Sequence, residues 1–398
     1  MELRLDAEKW RKRRGLRKLL KALGSAEGLT RYVGGAVRDD LVGLPVSDLD
    51  LATKLQPDAV IERLAATNIK TIPTGIDHGT VTAVSDGQTV EITSLRRDVS
   101  TDGRRATIAF TDDWKEDAAR RDFTINALLA DPETGEIFDF FGGLDDLRTG
   151  HIHFIGEPLE RIAEDHLRIL RFFRFHARFG AGEPDRPALD ACAARANDLM
   201  ALSRERIADE LLKLLALPDP TATIAIMLDR GILKPVLPEI APGRAADLAA
   251  LVAAEQEAGT PPAALRRFAA LLPRDPVLAD AIAARLKLSN KARKRLAAAV
   301  IPDLEASPEA LAYRAGTDGA VDRLLLAGRP AAAHAMAEWK VPRLPIGGAA
   351  LMARGLPEGK IIARTLRAIE GRWIGAGFPR GEEFDRIVAQ SLAEALGS

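Results

Sequence analysis

The stretch Gly34-Gly35-Ala36-Val37-Arg38-Asp39, followed after a short interval by Asp48-Leu49-Asp50, constrains this chain more than any other. Glycines at a helix start let the backbone approach an anion closely, and the first helical amides with the positive end of the helix dipole favour that anion. Arg38 falls one turn into the expected helix and adds a planar set of donors. In the β-rich run Asp48-Leu49-Asp50-Leu51-Ala52, alternate side chains share a face, roughly 6–7 Å apart along a strand. Asp48 and Asp50 are therefore expected to point together into a cleft while Leu49 and Leu51 face the core. Two hard oxygen ligands beside a phosphate cradle describe a magnesium–nucleotide site. A Gly-Gly pair alone is a turn, and a lone Asp-x-Asp is a solvated loop. Their order, with Arg38 between them, carries the reading.

The chain has 398 residues, 47% hydrophobic and 28% charged, enough for more than one core and two or more domains. Cys192 is the single cysteine, which excludes an internal disulfide and fits a reducing compartment. No apolar run is long enough to span a bilayer and no secretory segment is evident, so a cytoplasmic location without a membrane partner is expected. The net charge of −1 does not advertise a nucleic-acid binder, but basic residues cluster at 9–21 and 287–295. Either cluster can contact phosphates or form a solvated helix face.

Residues 1–26 read as a basic helix with Trp10, Leu16, Leu19, Leu20 and Leu23 as its apolar side. From 27 to 150 strands and helices mix. Short β-rich runs occur at 80–84, 90–93 and 108–110, with a turn at Ser85-Asp86-Gly87 between the first two. The charged, glycine-containing segment 98–105 is expected to be a mobile loop. After about 150 the β-branched runs give way to Ala/Leu/Arg-rich segments with helical spacing, at 162–179, 204–217, 263–272 and 279–300. The fold class is α+β in the first part, followed by a long all-helical part.

The first motif resembles that of the class II nucleotidyltransferases, the family of bacterial tRNA CCA-adding enzymes and poly(A) polymerases. Arg120-Arg121-Asp122-Phe123-Thr124-Ile125-Asn126-Ala127 resembles the RRDFTxNA motif of the same family. By that resemblance Arg120, Arg121, Asp122 and Asn126 contact the sugar and phosphates of the incoming nucleotide, and either arginine can be the one that faces it. A carboxylate or amide bonded to the 2′-hydroxyl rejects deoxyribose, because the missing hydroxyl leaves a buried polar group unpaired. Glu91 is a candidate third carboxylate near the metals; the alternative is an exposed strand position.

The amphipathic run 160–175 places Asp165, Arg168, Arg171 and, less squarely, Arg174 at three-residue steps along one slowly winding helix face. Taken alone, Asp165 and Arg168 are an ion pair on a solvated helix. An aspartate accepts and an arginine only donates. Asp165 taking the exocyclic amino proton while Arg168 donates to the ring nitrogen suits both cytosine and adenine. Uracil O4 or guanine O6 sets an acceptor against the carboxylate, at a cost of roughly 1–3 kcal/mol when buried. The run looks like the family's EDxxR motif, with Glu164, Asp165 and Arg168 in the matching places, and the resemblance puts Arg171 and Arg174 near the nucleotide phosphates.

Phe141-Gly142-Gly143-Leu144-Asp145-Asp146-Leu147 resembles the family's hinge between head and neck, and Ser203-Arg204-Glu205-Arg206-Ile207-Ala208-Asp209-Glu210-Leu211 the motif that steadies the neck. His153 stands where many relatives have arginine, which leaves a phosphate contact at that position without support. His151 and His153 alternate and can share a strand face, but the six histidines form no metal-ligand spacing. No His-Asp dipeptide, Ser-His-Asp arrangement or P-loop is present.

The resemblance implies a polymerase-β-like nucleotidyltransferase head with a small mixed sheet over 27–150. It further implies a helical neck carrying the base-selecting helix over 151–217 and an elongated helical body and tail for tRNA over 218–398. The expected reaction is addition of CMP and AMP from CTP and ATP to a tRNA 3′ end. Asp48 and Asp50 hold Mg²⁺, Gly34, Gly35 and Arg38 cradle the triphosphate, and Asp165 and Arg168 select the base. The rivals are poly(A) polymerase, a CC-only or A-only enzyme, and a catalytically silent RNA-binding module. The segment 73–81 resembles the CCA-adding type rather than the doubly basic stretch of poly(A) polymerases, and intact Asp48 and Asp50 speak against the silent module. Oligomeric state is not legible.

Overall fold

Period-two alternation around Asp50 frames the computed structural model, which describes residues 4–46, 48–102, 105–302, 304–305 and 307–397. Leu49 and Leu51 are buried while Asp48 and Asp50 are exposed, as a half-buried strand demands. Nine strands form: β1 (Thr30–Val33), β2 (Asp50–Thr53), β3 (Lys70–Gly75), β4 (Thr80–Ser85), β5 (Gln88–Ser94), β6 (Arg96–Asp102), β7 (Arg105–Phe110), β8 (Leu129–Ala130) and β9 (Ile137–Phe138). Seven make one mixed sheet in the order β3-β4-β5-β2-β1-β8-β9, in which only β2 and β5 run parallel. That pairing sets Asp50 directly beside Glu91.

The turn between β4 and β5 forms where the sequence places it. Asp86 and Gly87 both have positive φ, 49° and 84°, the conformation that closes a two-residue hairpin between right-twisted strands. Two expectations fail. The described residues of 98–105 are not a loop but the facing ends of the β6–β7 hairpin, because backbone pairing runs from Arg96↔Phe110 through Asp102↔Arg105; Gly103 and Arg104 lie outside the described residues. The N-terminal segment is not one helix but two, Ala7–Arg11 and Leu16–Ala22, separated at Gly15 with φ 76°. A Cβ there would lie 2.8 Å from the Ser85 carbonyl oxygen, so the break lets the chain touch the β4–β5 hairpin. Trp10, Leu16, Leu19, Leu20 and Leu23 are nonetheless all buried. They pack with Tyr32, Leu51, Val81 and Ile92 on one face of the sheet, while Val33, Ala52, Leu95, Trp114 and Leu129 gather on the other.

After β9 every helix or strand among the described residues is helical. The chain divides into two units, Met1–Leu211 with Asp229–Val236, and Leu212–Leu228 with Leu237–Ser398. The second unit carries a buried ionic centre. Glu255 accepts from Arg266 Nε at 2.7 Å and Arg267 Nε at 2.8 Å, and Asp322 accepts from Arg266 Nη1 at 3.1 Å and Arg295 Nε at 2.7 Å. Glu255, Arg266, Arg267 and Asp322 are each at most 3% exposed. Such a group is tolerated only when every charge has its partner. Glu255→Ala should therefore leave two buried guanidiniums short of an acceptor and destabilise the helical unit by about 3–5 kcal/mol. Urea unfolding followed by circular dichroism checks this, and an unchanged midpoint would contradict the analysis.

Candidate active site

Helix Gly35–Leu41 starts directly after β1, and Gly34 precedes it with φ 67° and ψ −130°. A Cβ at Gly34 would lie 3.0 Å from Arg121 Nη1, so this glycine is needed both for its backbone angle and for close approach of the arginine. A cavity of about 480 Å³ opens beside it, lined by Gly34, Gly35, Arg38, Asp50, Arg120, Arg121, Asp122, Asn126, Asp165, Arg168, Arg171, Arg174 and Phe175. All eleven nucleotide-contact residues read from the sequence thus converge on one concavity, with Asp50 at its edge. Asp48 is not part of the lining, although its charge reaches Asp50.

One hydrogen-bonded chain organises the wall. Arg38, buried between the Phe175 and Phe179 rings, donates to Asn126 Oδ1 and, at 2.8 Å, to Asp39. Asn126 Nδ2 donates to Asp122 Oδ1 at 2.9 Å, where the Phe123 amide also donates. Arg171 Nε donates to Asp122 Oδ2 at 2.6 Å. Glu210, buried on helix Arg204–Leu215, accepts from Arg174 Nε at 2.6 Å and stands 3.9 Å from Arg171. Burial alone would raise the pKa of Asp122, but Arg171 and the hydrogen bonds of Asn126 and Phe123 outweigh it and hold the carboxyl below its usual range.

The two arginines of the second motif separate. Arg120 turns its Nε and Nη2 onto Asp117 at 2.9 and 2.8 Å. Arg121 reaches Asp117 at 3.3 Å and lies at Gly34, where its charge is felt by Asp50. Arg121 is therefore the one beside the glycine turn, while both line the cavity.

The amphipathic run 160–175 is not the continuous helix expected. Helices Pro158–Glu164 and Arg168–Phe179 are separated at Asp165, which is extended with φ −151° and ψ 104°. The break has a local cause. Asp165 Oδ1 accepts from the Leu167 amide at 3.1 Å and so satisfies a backbone donor at the second helix start. Arg168 meanwhile donates to the Arg161 carbonyl at 2.7 Å, closing the first helix, and also to Glu164. Asp165 Oδ2 accepts from Arg206 at 2.8 Å. Asp165 and Arg168 thus do not form the ion pair of a solvated helix face; each has another partner, and both line the cavity. Sequence gives Arg206 and Glu210 no individual role, although both fall within the motif likened to the neck-steadying one.

Asp50 opens to the cleft, yet nearby protein strips water from its carboxyl. Loss of solvation first, then the negative charges of Glu91 and Asp48, raise its pKa against the opposing pull of Arg121. Crowded carboxylates whose charge is disfavoured are what a divalent cation relieves, and their all-oxygen donor set suits a hard ion.

The family profile described as the poly A polymerase head domain matches residues 30–153, and one described as a probable RNA and SrmB-binding site of polymerase A matches residues 184–243. With the mixed sheet and the glycine–arginine cleft, this defines a nucleotidyltransferase with a poly(A)-polymerase-type head. Over 385 residues the chain is 32% identical to the mitochondrial CCA tRNA nucleotidyltransferase 1 of Mus musculus, spanning 92% of this chain and 87% of that protein. It is 38% identical over 218 residues to the CCA-adding enzyme of Streptococcus gordonii, 54% of this chain and 52% of that one. The crystal structure of the Bacillus stearothermophilus CCA-adding enzyme in complex with CTP superposes with a TM-score of 0.75 at 27% identity, covering 96% of this chain and 98% of that one. The chain belongs to the CCA tRNA nucleotidyltransferase family.

The raised pKa of Asp50 ties stability to pH. A carboxyl that is harder to ionise in the folded than in the unfolded chain contributes stability at acid pH and loses it as pH rises through its folded value. In the metal-free protein Asp50→Asn should therefore unfold at a higher temperature than wild type near about pH 7, and the gain should vanish near about pH 4, where the reference carboxyl protonates. Equal melting temperatures at both pH values would contradict the electrostatic assignment.

Proposed function

We propose that the protein adds CMP and AMP, from CTP and ATP, to the 3′ end of tRNA, completing and repairing the CCA terminus. The convergence of Gly34, Arg38, Asp50 and the Asp165–Arg168 edge on one cavity carries this reading. The tRNA 3′-hydroxyl attacks the α-phosphate of the bound nucleotide, the new phosphodiester forms, and pyrophosphate leaves. Asp48 and Asp50, with Glu91 as the third carboxylate beside them, are the groups that would hold Mg²⁺. When bound, the metal would lower the pKa of the attacking hydroxyl and neutralise charge on the leaving group. Gly34, Gly35, Arg38 and Arg121 hold the triphosphate, and Arg171 and Arg174 add positive charge along it. Asp122 and Asn126, fixed by Arg171 and Arg38, face the ribose.

Asp165 presents its carboxylate and Arg168 its guanidinium to the base edge, which admits cytosine and adenine without a nucleic-acid template. Arg206 orients Asp165, and Glu164 orients Arg168. The helical unit grips tRNA through shape and backbone phosphates rather than sequence. No helix among the described residues is long and apolar enough to cross a membrane. We place the reaction in the cytoplasm, a reducing compartment that fits a chain with one cysteine, Cys192.

Incubating tRNA that lacks its CCA end with each labelled nucleotide and magnesium tests the proposal. CTP then ATP incorporation, stopping after CCA, is the expected outcome. A long A tail would indicate poly(A) polymerase, addition of only C or only A a partial enzyme, and no incorporation a silent RNA-binding module. Asp48→Ala and Asp50→Ala should abolish transfer while leaving tRNA binding within about twofold, since one lost surface carboxylate removes no phosphate contact. Normal turnover in either would remove the metal assignment. Asp165→Ala should narrow the preference for CTP and ATP over UTP and GTP by about 10-fold or more, corresponding to roughly 1–3 kcal/mol of lost discrimination. An unchanged preference would contradict the edge-reading role.

A further inference from the structure

His151 and His153 alternate through the segment after helix Gly143–Thr149, and the fold adds a third ligating group that sequence spacing did not join to them. Asp146, from that helix, offers a carboxylate oxygen; together with one nitrogen from each histidine, the three atoms lie within 4.8 Å of one another. His153 Nδ1 stands 2.9 Å from Asp146 Oδ1, and the two imidazole centroids are 5.5 Å apart.

The atoms facing away from this point are also engaged. Thr124 Oγ1 donates to Asp146 Oδ2 at 2.5 Å, and Asp185 Oδ1 lies 3.2 Å from His153 Nε2. Metal-bound histidines characteristically donate their other ring N–H to a carboxylate, and metal-bound carboxylates are themselves hydrogen-bonded. The Asp185–His153 and Thr124–Asp146 contacts supply that outer layer. An ordinary ion pair accounts for His153 between two carboxylates, but it gives His151 no part.

We propose that Asp146, His151 and His153 bind one first-row transition-metal dication, zinc above all, at a site separate from the Asp48–Asp50 cleft. Two imidazoles and one carboxylate suit zinc, whereas magnesium takes oxygen ligands in octahedral array. Zinc bonds of about 2.0–2.1 Å in tetrahedral array set ligand atoms about 3.3 Å apart, so rotation of the exposed His151 ring closes the set. The site ties helix Gly143–Thr149 to the segment whose His153 carbonyl accepts from the Thr124 amide at 3.1 Å. The next amide in register, Ile155, donates to the Asp122 carbonyl at 3.1 Å. A metal here therefore braces the backbone that carries Asp122 into the nucleotide cavity.

The full chain, stripped with a chelator and titrated calorimetrically with Zn²⁺, tests this. One equivalent should bind, and the Asp48→Asn/Asp50→Asn double variant should keep it at the same affinity. His151→Ala, which removes an exposed ring and leaves the core intact, and Asp185→Asn should each weaken binding by about 10-fold or more. Substituting Co²⁺ should give the intense visible absorption of a tetrahedral site in wild type and not in His151→Ala. Absence of a bound equivalent, equal affinity in His151→Ala, or loss of binding only in the Asp48→Asn/Asp50→Asn variant would overturn the proposal.

Discussion

A buried carboxylate, Asp122, is the fixed point of the cleft. It is 8% exposed, and it persists as an anion because a guanidinium, a side-chain amide and a backbone amide all donate to it. Through Asn126 it holds Arg38 of the glycine-turn helix, and through Arg171 it holds helix Arg168–Phe179. Three segments far apart in sequence therefore share one ion. Removing any donor would leave a charge that the surrounding apolar groups cannot solvate, so the cleft walls are positioned together or not at all.

Much of this was legible because it follows from local periodicity. The Asp48–Leu51 alternation, the Asp86-Gly87 hairpin and the glycine-turn helix each depend on residues within a few positions, and each forms where the sequence put it. The eleven residues that resemblance assigned to nucleotide contact all line one cavity. What sequence could not show is non-local or depends on a side chain overriding propensity. Glu91 meets Asp50 only because β5 joins the sheet beside β2 in parallel. Arg206 and Glu210 find their partners 41 and 36 residues away.

The breaks in expected helices share a physical origin. At Asp165 a carboxylate offers the backbone an alternative to the helical ladder, and at Gly15 a glycine accepts a left-handed angle to meet a neighbouring turn. Helical periodicity registers neither, since both sides of each break remain amphipathic. The β6–β7 hairpin escaped for the opposite reason: charged side chains on a ladder carry no hydrophobic alternation to read.

The cavity lining brings Arg38, Arg120, Arg121, Arg168, Arg171 and Arg174 against Asp50, Asp122 and Asp165, a local excess of positive charge on a chain whose net charge is −1. Within the ~8 Å over which physiological salt lets charges act, the cleft draws in a highly charged ligand that the net charge of the chain does not attract, and that pull weakens as ionic strength rises.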